Sequence, residues 1–299
     1  MLISRRQDKL VLVEQNEHGR LAGDIAGHWG NALFAGPVRR DAAQLAATMH
    51  DDGWREADAA PLFNETQARP LHFLEIDMED HVPLYKRGVD RVFERDPYAG
   101  LLVSMHWTGL YRSRWGVQSA GVDFQRGSSK LEQLQNEAVA SEEQRWIQAK
   151  QELMHDTRRS DFEAGLWHSY DLLQGWDLLA LYLPLMDIRP DDGTEVRPLA
   201  ATLRSIDQDR GARLIESVPV EVAGERADLT LTPIADGVVT VYPYPFDVDR
   251  LDLHVTGKVI PDRHYESPRD ARDTLAQADE VTLTCRMTRG RAAERGQWP

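Results

Sequence analysis

The chain has 299 residues, enough for one large domain with an elaboration or for two domains. Its 41% hydrophobic and 28% charged content suits a soluble globular protein, and a formal charge of −14 argues against broad binding to nucleic-acid backbones. A small basic pocket for an anionic substrate is compatible with that charge.

Residues 8–14 predict a short strand, followed by a helix over 15–29. On that helix His18, Leu21, Ala22, Ile25 and Trp29 recur at helical spacing, so His18 shares the apolar face while His28 lies off it. A second helix over 41–51 has Asp41 as a cap and buries Ala42, Leu45, Ala46 and Met49. His50 and Asp51 close it, and Gly53 ends it. Residues 55–70 read as irregular, and 80–94 as a helix with His81 in its first turn. Asp96-Pro97 is a helix start signal, and the helix it opens carries Leu101, Leu102, Met105 and His106. Residues 116–130 read as a loop, 130–158 as a charged amphipathic helix and 162–183 as a strongly apolar helix.

After Pro184 the character changes. Residues 186–212 lack periodicity. From 213 onward apolar and polar residues alternate, as in Leu229-Thr-Leu-Thr and Leu251-Asp-Leu-His-Val, which predicts strands. Pro268 to Ala278 predicts one helix, with Ser267 as its cap. The single cysteine, Cys285, lies in the last alternating stretch and reads as a buried strand residue that cannot form an internal disulfide. The apolar run Leu178–Met186 is too short to span a bilayer. Met1-Leu-Ile-Ser-Arg-Arg is not followed by a signal-peptide core, so the expected location is the cytoplasm.

The most informative feature is an ordered set: His18, His50-Asp51, His81, His106 and Asp177. Each gap is long enough for a helix and a return connection, which suggests ligands projecting from separate helices into one cavity. Imidazole and carboxylate donors suit iron, manganese or zinc. A single buried histidine is more often a hydrogen-bonded core residue, so no member carries the argument alone. The chain supplies its own control: His155-Asp156 stands in a charged helix, followed by Thr-Arg-Arg, and reads as solvated surface. Asp177 is more telling. It sits in Leu172-Leu-Gln-Gly-Trp-Asp-Leu-Leu-Ala, and a carboxylate buried there needs a cation or strong donors. Asp171 competes for the role from another face of the same helix.

The ordered pattern resembles the HD-domain superfamily of metal-dependent enzymes over about residues 10–185. The stretches Glu14-Gln-Asn-Glu-His18, His50-Asp-Asp-Gly-Trp54, Pro97-Tyr-Ala-Gly-Leu-Leu-Val-Ser-Met-His106 and Gln174-Gly-Trp-Asp177 are similar to the domain-of-unknown-function family 3891, which also carries a C-terminal section resembling Tyr242-Pro-Tyr-Pro-Phe246. The resemblance implies His18, His50, Asp51 and Asp177 as shared metal ligands, with His81 and His106 completing a second site. Two divalent transition-metal ions are then expected, iron or manganese first and zinc as a third option. One departure stands out. Where many members place Lys, Arg or His three residues after the motif aspartate, this chain has Trp54. Cationic contacts to substrate must come from elsewhere, and Lys86, Arg87, Arg112 and Arg114 are the candidates. Asp52 is the candidate general base, and Trp29, Trp54, Trp107 and Tyr111 are candidate pocket walls or core aromatics.

The expected fold class is α+β: a mainly α-helical HD-like domain over 1–185, an irregular connection or lid over 186–212, and a β-rich C-terminal section over 213–299. The expected function is hydrolysis of a phosphoester or nucleotide-like small molecule at a dinuclear site. The rivals are a mixed-valent diiron oxygenase acting on a small polar substrate and a non-catalytic metal or ligand sensor. A small, anionic substrate is the expected partner, with no nucleic acid and no membrane. No Gly-rich phosphate loop or nucleophile elbow competes with this reading.

Overall fold

The computed structural model describes residues 1–116, 129–185, 197–198, 204–207 and 212–291. The loop expected over 116–130 and most of the connection expected over 186–212 lie outside the described residues. In chain order, β1 (Leu2–Arg6) and β2 (Lys9–Val13) form an antiparallel hairpin, turned through Gln7 at φ 57°. The helices α1 (Gln15–Gly27), α2 (Arg40–Met49) and α3 (Arg55–Ala59) follow. A small hairpin, β3 (Phe63–Asn64) and β4 (Arg69–Pro70), leads to α4 (Met78–Arg95), α5 (Pro97–Leu110), α6 (Ser129–Leu153) and α7 (Arg159–Leu185). Then come β5 (Arg197–Pro198), β6 (Arg204–Asp207), β7 (Ala212–Pro219), β8 (Arg226–Ala235), β9 (Val238–Tyr242), β10 (Arg250–Pro261), α8 (Pro268–Ala276) and β11 (Asp279–Arg289).

One nine-stranded sheet runs in the order β5-β1-β2-β10-β11-β9-β8-β7-β6. All its neighbours are antiparallel except β11 and β9. This corrects the expected fold class. The chain is α+β and its C-terminal section is strand-rich as expected, but residues 1–185 are not a separate helical HD-like body, because β1 and β2 belong to the same sheet as the C-terminal strands. The first two strands sit inside the sheet, with Val11 opposite Val259 of β10. The physical reason lies in β2, Lys-Leu-Val-Leu-Val. Val11 and Val13 join the large core under the helices, while Leu10 and Leu12 face a second cluster with Ile260, Tyr265, Ala271 and Leu275. A strand apolar on both faces must be covered on both, and α8 packs against β10 on the second side.

The large core is continuous from the helices into the sheet. It holds Leu21 and Ile25 of α1, Leu173 and Trp176 of α7, and Leu229, Val239 and Met287 of the strands. The helix α7 packs on β7, β1 and β11. The Tyr242–Phe246 stretch closes the end of α1: Trp29 rests edge-on against Phe246, and the Asn31 side chain donates to the Tyr244 and Phe246 carbonyls. Cys285 is buried in β11, and burial pushes its thiol up to about 12, so it offers no nucleophile near neutral pH. Among the described residues no helix is long and apolar enough to cross a membrane.

The approach of α1 to α2 decides where two of the histidines meet. Gly19 lies against the main chain of α2, and a Cβ there would stand 2.5 Å from the Thr48 carbonyl oxygen. Backbone cannot yield as a side-chain end can. Gly19→Ala is therefore expected to part the two helices and cost about 1–3 kcal/mol, read as a lowered urea midpoint with an unchanged slope.

Candidate metal centre

Four elements deliver five buried donors. His18 comes from the inner face of α1, His106 from α5 and Asp177 from the middle of α7. His50 and Asp51 follow the last turn of α2. There the orphan carbonyl of Ala47 needs a donor, and His50 Nδ1 supplies it at 2.7 Å. That bond leaves the Nε2 lone pair of a neutral His50 free and aims it inward. None of the five is more than 5% exposed.

The donors converge on one point. His18 Nε2 lies 3.1 Å from His50 Nε2, 3.1 Å from Asp177 Oδ1 and 3.9 Å from Asp51 Oδ2. His50 Nε2 lies 3.5 Å from Asp51 Oδ2 and 3.6 Å from Asp177 Oδ1. Ligand atoms about 2.1 Å from a common ion would stand roughly 3.0–3.4 Å apart, so these separations fit one shared cation. The donor chemistry fits as well. Three acceptor atoms crowd His18 Nε2, and one proton there cannot satisfy them all, whereas a divalent ion can. Among the described residues two groups of donor atoms lie close enough to hold an ion: His18, His50 and Asp51, and His50, His106 and Asp177. They share His50. One feature fits less well: His18 Nδ1 is buried without a hydrogen-bond partner.

The charges respond to this crowding. Burial alone would push the His50 pKa down, but Asp51 and Asp177 beside it raise it to about 9. Burial would raise Asp177, yet hydrogen bonds from His18 and His50 and the charge of Arg114 hold it well below the ordinary carboxylate range. Burial, then the neighbouring His50, keeps His106 well below the usual imidazole range.

The remaining sequence candidates stand elsewhere. His81 is fully buried in the first turn of α4, with its ring against Tyr85 and Trp54 and its Nδ1 2.5 Å from the Tyr111 hydroxyl. It belongs to neither donor group. Asp52 turns away from Asp51. Its oxygens accept from Arg55 at 2.6 Å and Arg91 at 2.5 Å, so it ties the turn after α2 to α4. Lys86 is exposed on α4, and Arg112 bonds Asn136 on α6. Arg114 does reach the centre. Its Nη1 and Nη2 each donate to Asp177 Oδ2 at 3.1 Å, and its Nη1 also donates to Gln174 Oε1. The backbone is strained to put it there: Ser113, Arg114 and Trp115 all have positive φ, 50°, 49° and 54°. Each such residue costs about 1–2 kcal/mol. Asp171 is paired with Arg226, His28 with Asp247, and His155 and Asp156 are exposed.

The family model described as a protein of unknown function, DUF3891, matches residues 1–262. The chain belongs to the DUF3891 family. Neither a curated protein nor a solved structure matches it. In this DUF3891 protein the matched span holds all five donors, Arg114 and the Tyr242–Phe246 closure, whereas α8 and β11 lie beyond it.

Two residues of this DUF3891 site escaped sequence reasoning. The Tyr85 hydroxyl donates to Asp51 Oδ1 at 2.5 Å, and Gln174 Nε2 lies 3.2 Å from His106 Nδ1. Helical spacing carried a signal for both. Tyr85 is four residues after His81, and Gln174 three before Asp177, distances that put side chains on one helix face.

Proposed function

We propose that this protein is a metal-dependent hydrolase of a small anionic substrate, a phosphoester or nucleotide-like molecule, using one divalent ion held by His18, His50, Asp51 and Asp177. The observation that carries this reading is the convergence of those four donors, from two helices and the end of a third, with separations of 3.1–3.9 Å in a buried site. Their chain order is that of the HD superfamily, which supports the same reading. Iron, manganese and zinc all suit the donor set.

A second ion has less to hold it than the expected set implied: His81 stands outside the donor groups, and the group His50, His106 and Asp177 shares His50 with the first. A diiron oxygenase loses the same ground. A divalent ion in such a set supplies Lewis acidity toward a phosphoryl oxygen and acidifies water. The protein supplies the rest. Asp51 and Asp177 bring negative charge to hold the cation, and Tyr85 and Arg114 orient those carboxylates from behind. Arg114 also answers the departure at Trp54. It is a buried guanidinium beside the ligands, held on Asp177 and Gln174, and it brings positive charge to the centre where the basic residue of the family pattern is missing.

The test is elemental analysis of protein purified without chelators, followed by assays on phosphomonoesters and phosphodiesters with manganese, iron or zinc. About one ion per chain and metal-dependent alcohol release are expected, with both lost in His50→Ala. Wild-type protein that retains no metal and releases no product would overturn the proposal.

A further inference from the structure

The chain of contacts Arg114, Gln174, His106 has a consequence for proton position. A guanidinium has only donors, so the Gln174 atom facing Arg114 Nη1 must be the amide oxygen. The Gln174 NH2 group then faces His106 Nδ1 at 3.2 Å. An NH2 group only donates, so His106 Nδ1 must accept with its lone pair. A protonated Nδ1 would set donor against donor at 3.2 Å between two buried side chains. A neutral imidazole with a free Nδ1 carries its proton on Nε2. Reversing the amide does not escape this, because its NH2 would then face the guanidinium.

We infer that Gln174, oriented by Arg114, is a positioning residue that fixes His106 as the Nε2–H tautomer, so that His106 serves the centre as a hydrogen-bond donor and not as a metal ligand. One nitrogen is occupied by Gln174 and the other carries hydrogen, so neither offers a lone pair to an ion. His106 nonetheless stands at the centre: its ring lies edge-on to His50, 4.9 Å between centroids, and it shares a donor group with His50 and Asp177. The histidine nearest to a second metal site is thereby turned into an N–H suited to an anionic oxygen. The tautomer follows from the hydrogen bonds alone, whereas the statement about ligation rests on the metal reading above.

The test is nitrogen-15 NMR of histidine-labelled full-length protein, in which protonated and unprotonated ring nitrogens are distinguished by shift and by proton correlation. In metal-free wild type, His106 is expected to show its proton on Nε2. Gln174→Glu presents only acceptors to both neighbours and is expected to move that proton to Nδ1. Wild-type His106 with its proton on Nδ1 would overturn the inference, and this holds even if the variant does not fold. Zinc is then added to wild type. His18 and His50 are expected to shift to the ligated pattern while His106 keeps its Nε2 proton correlation. Loss of that correlation on zinc binding would overturn the donor role. If His18 and His50 do not respond to zinc at all, the metal reading fails while the tautomer assignment stands.

Discussion

Asp177→Ala is expected to strip the protein of metal and to destabilise the fold by about 3–5 kcal/mol. Two separate losses combine. The first is the proposed ligand oxygen, Asp177 Oδ1, 3.1 Å from His18 Nε2 and 3.6 Å from His50 Nε2. The second is the partner of Arg114, whose guanidinium is only 3% exposed and donates twice to the same carboxylate oxygen. Removing one member of a buried pair leaves an uncompensated charge, which costs more than the pair itself contributes. The double variant Asp177→Ala/Arg114→Met removes both charges and is expected to recover most of the stability without recovering metal. Elemental analysis reads the first loss and urea denaturation the second. Wild-type metal content in Asp177→Ala would remove this residue from the centre.

The metal-free protein is expected to lose stability as the pH rises from about 6.5 to about 9. His50 has its pKa raised to about 9 by Asp51 and Asp177, against the opposing effect of burial. The folded state therefore holds this proton more tightly than the unfolded chain. The resulting stabilisation is complete below the unfolded value of about 6.5 and is lost as the pH climbs through the folded one, roughly 3 kcal/mol in all. His81 works in the opposite direction. Burial lowers it to about 3, so its preference for the neutral form weakens the fold progressively as the pH falls below about 6.5. The two slopes meet near pH 6.5, where the metal-free protein should be most stable as far as these groups decide it. Metal reverses the alkaline limb, because a ligand imidazole must be neutral. Each ion bound near pH 7 should expel about one proton, and apparent affinity should rise about tenfold per pH unit up to about 9. Calorimetry in two buffers of different ionisation enthalpy counts that proton. Ion binding with no proton released at pH 7 would contradict the charge state assigned to His50.

Much of the centre could be read from residue order because its signals are local. His18 recurs with Leu21, Ala22 and Ile25 at helical spacing, and all four are buried on α1. Asp96-Pro97 starts α5 as expected, with the Asp96 side chain accepting from the Ala99 amide. Asp177 announced itself as a carboxylate among apolar neighbours, and it found donors in His18 and Arg114. Asp41 did not cap α2, which begins a residue earlier behind Arg39.

What residue order determined, then, was every labelled helix but α3, which lies in a stretch read as irregular, together with the alternating strands and the types of donor they carry, because periodicity and capping act over a few residues. Tertiary structure alone decided that β2 pairs with β10, that His81 stands apart from the other histidines, and that Arg114 bends back onto Asp177 and Gln174. Those outcomes depend on which faces can be buried together across long stretches of chain. The left-handed residues Ser113, Arg114 and Trp115 are themselves not glycine, and their conformation persists through contacts such as those of Arg114 with Asp177 and Gln174.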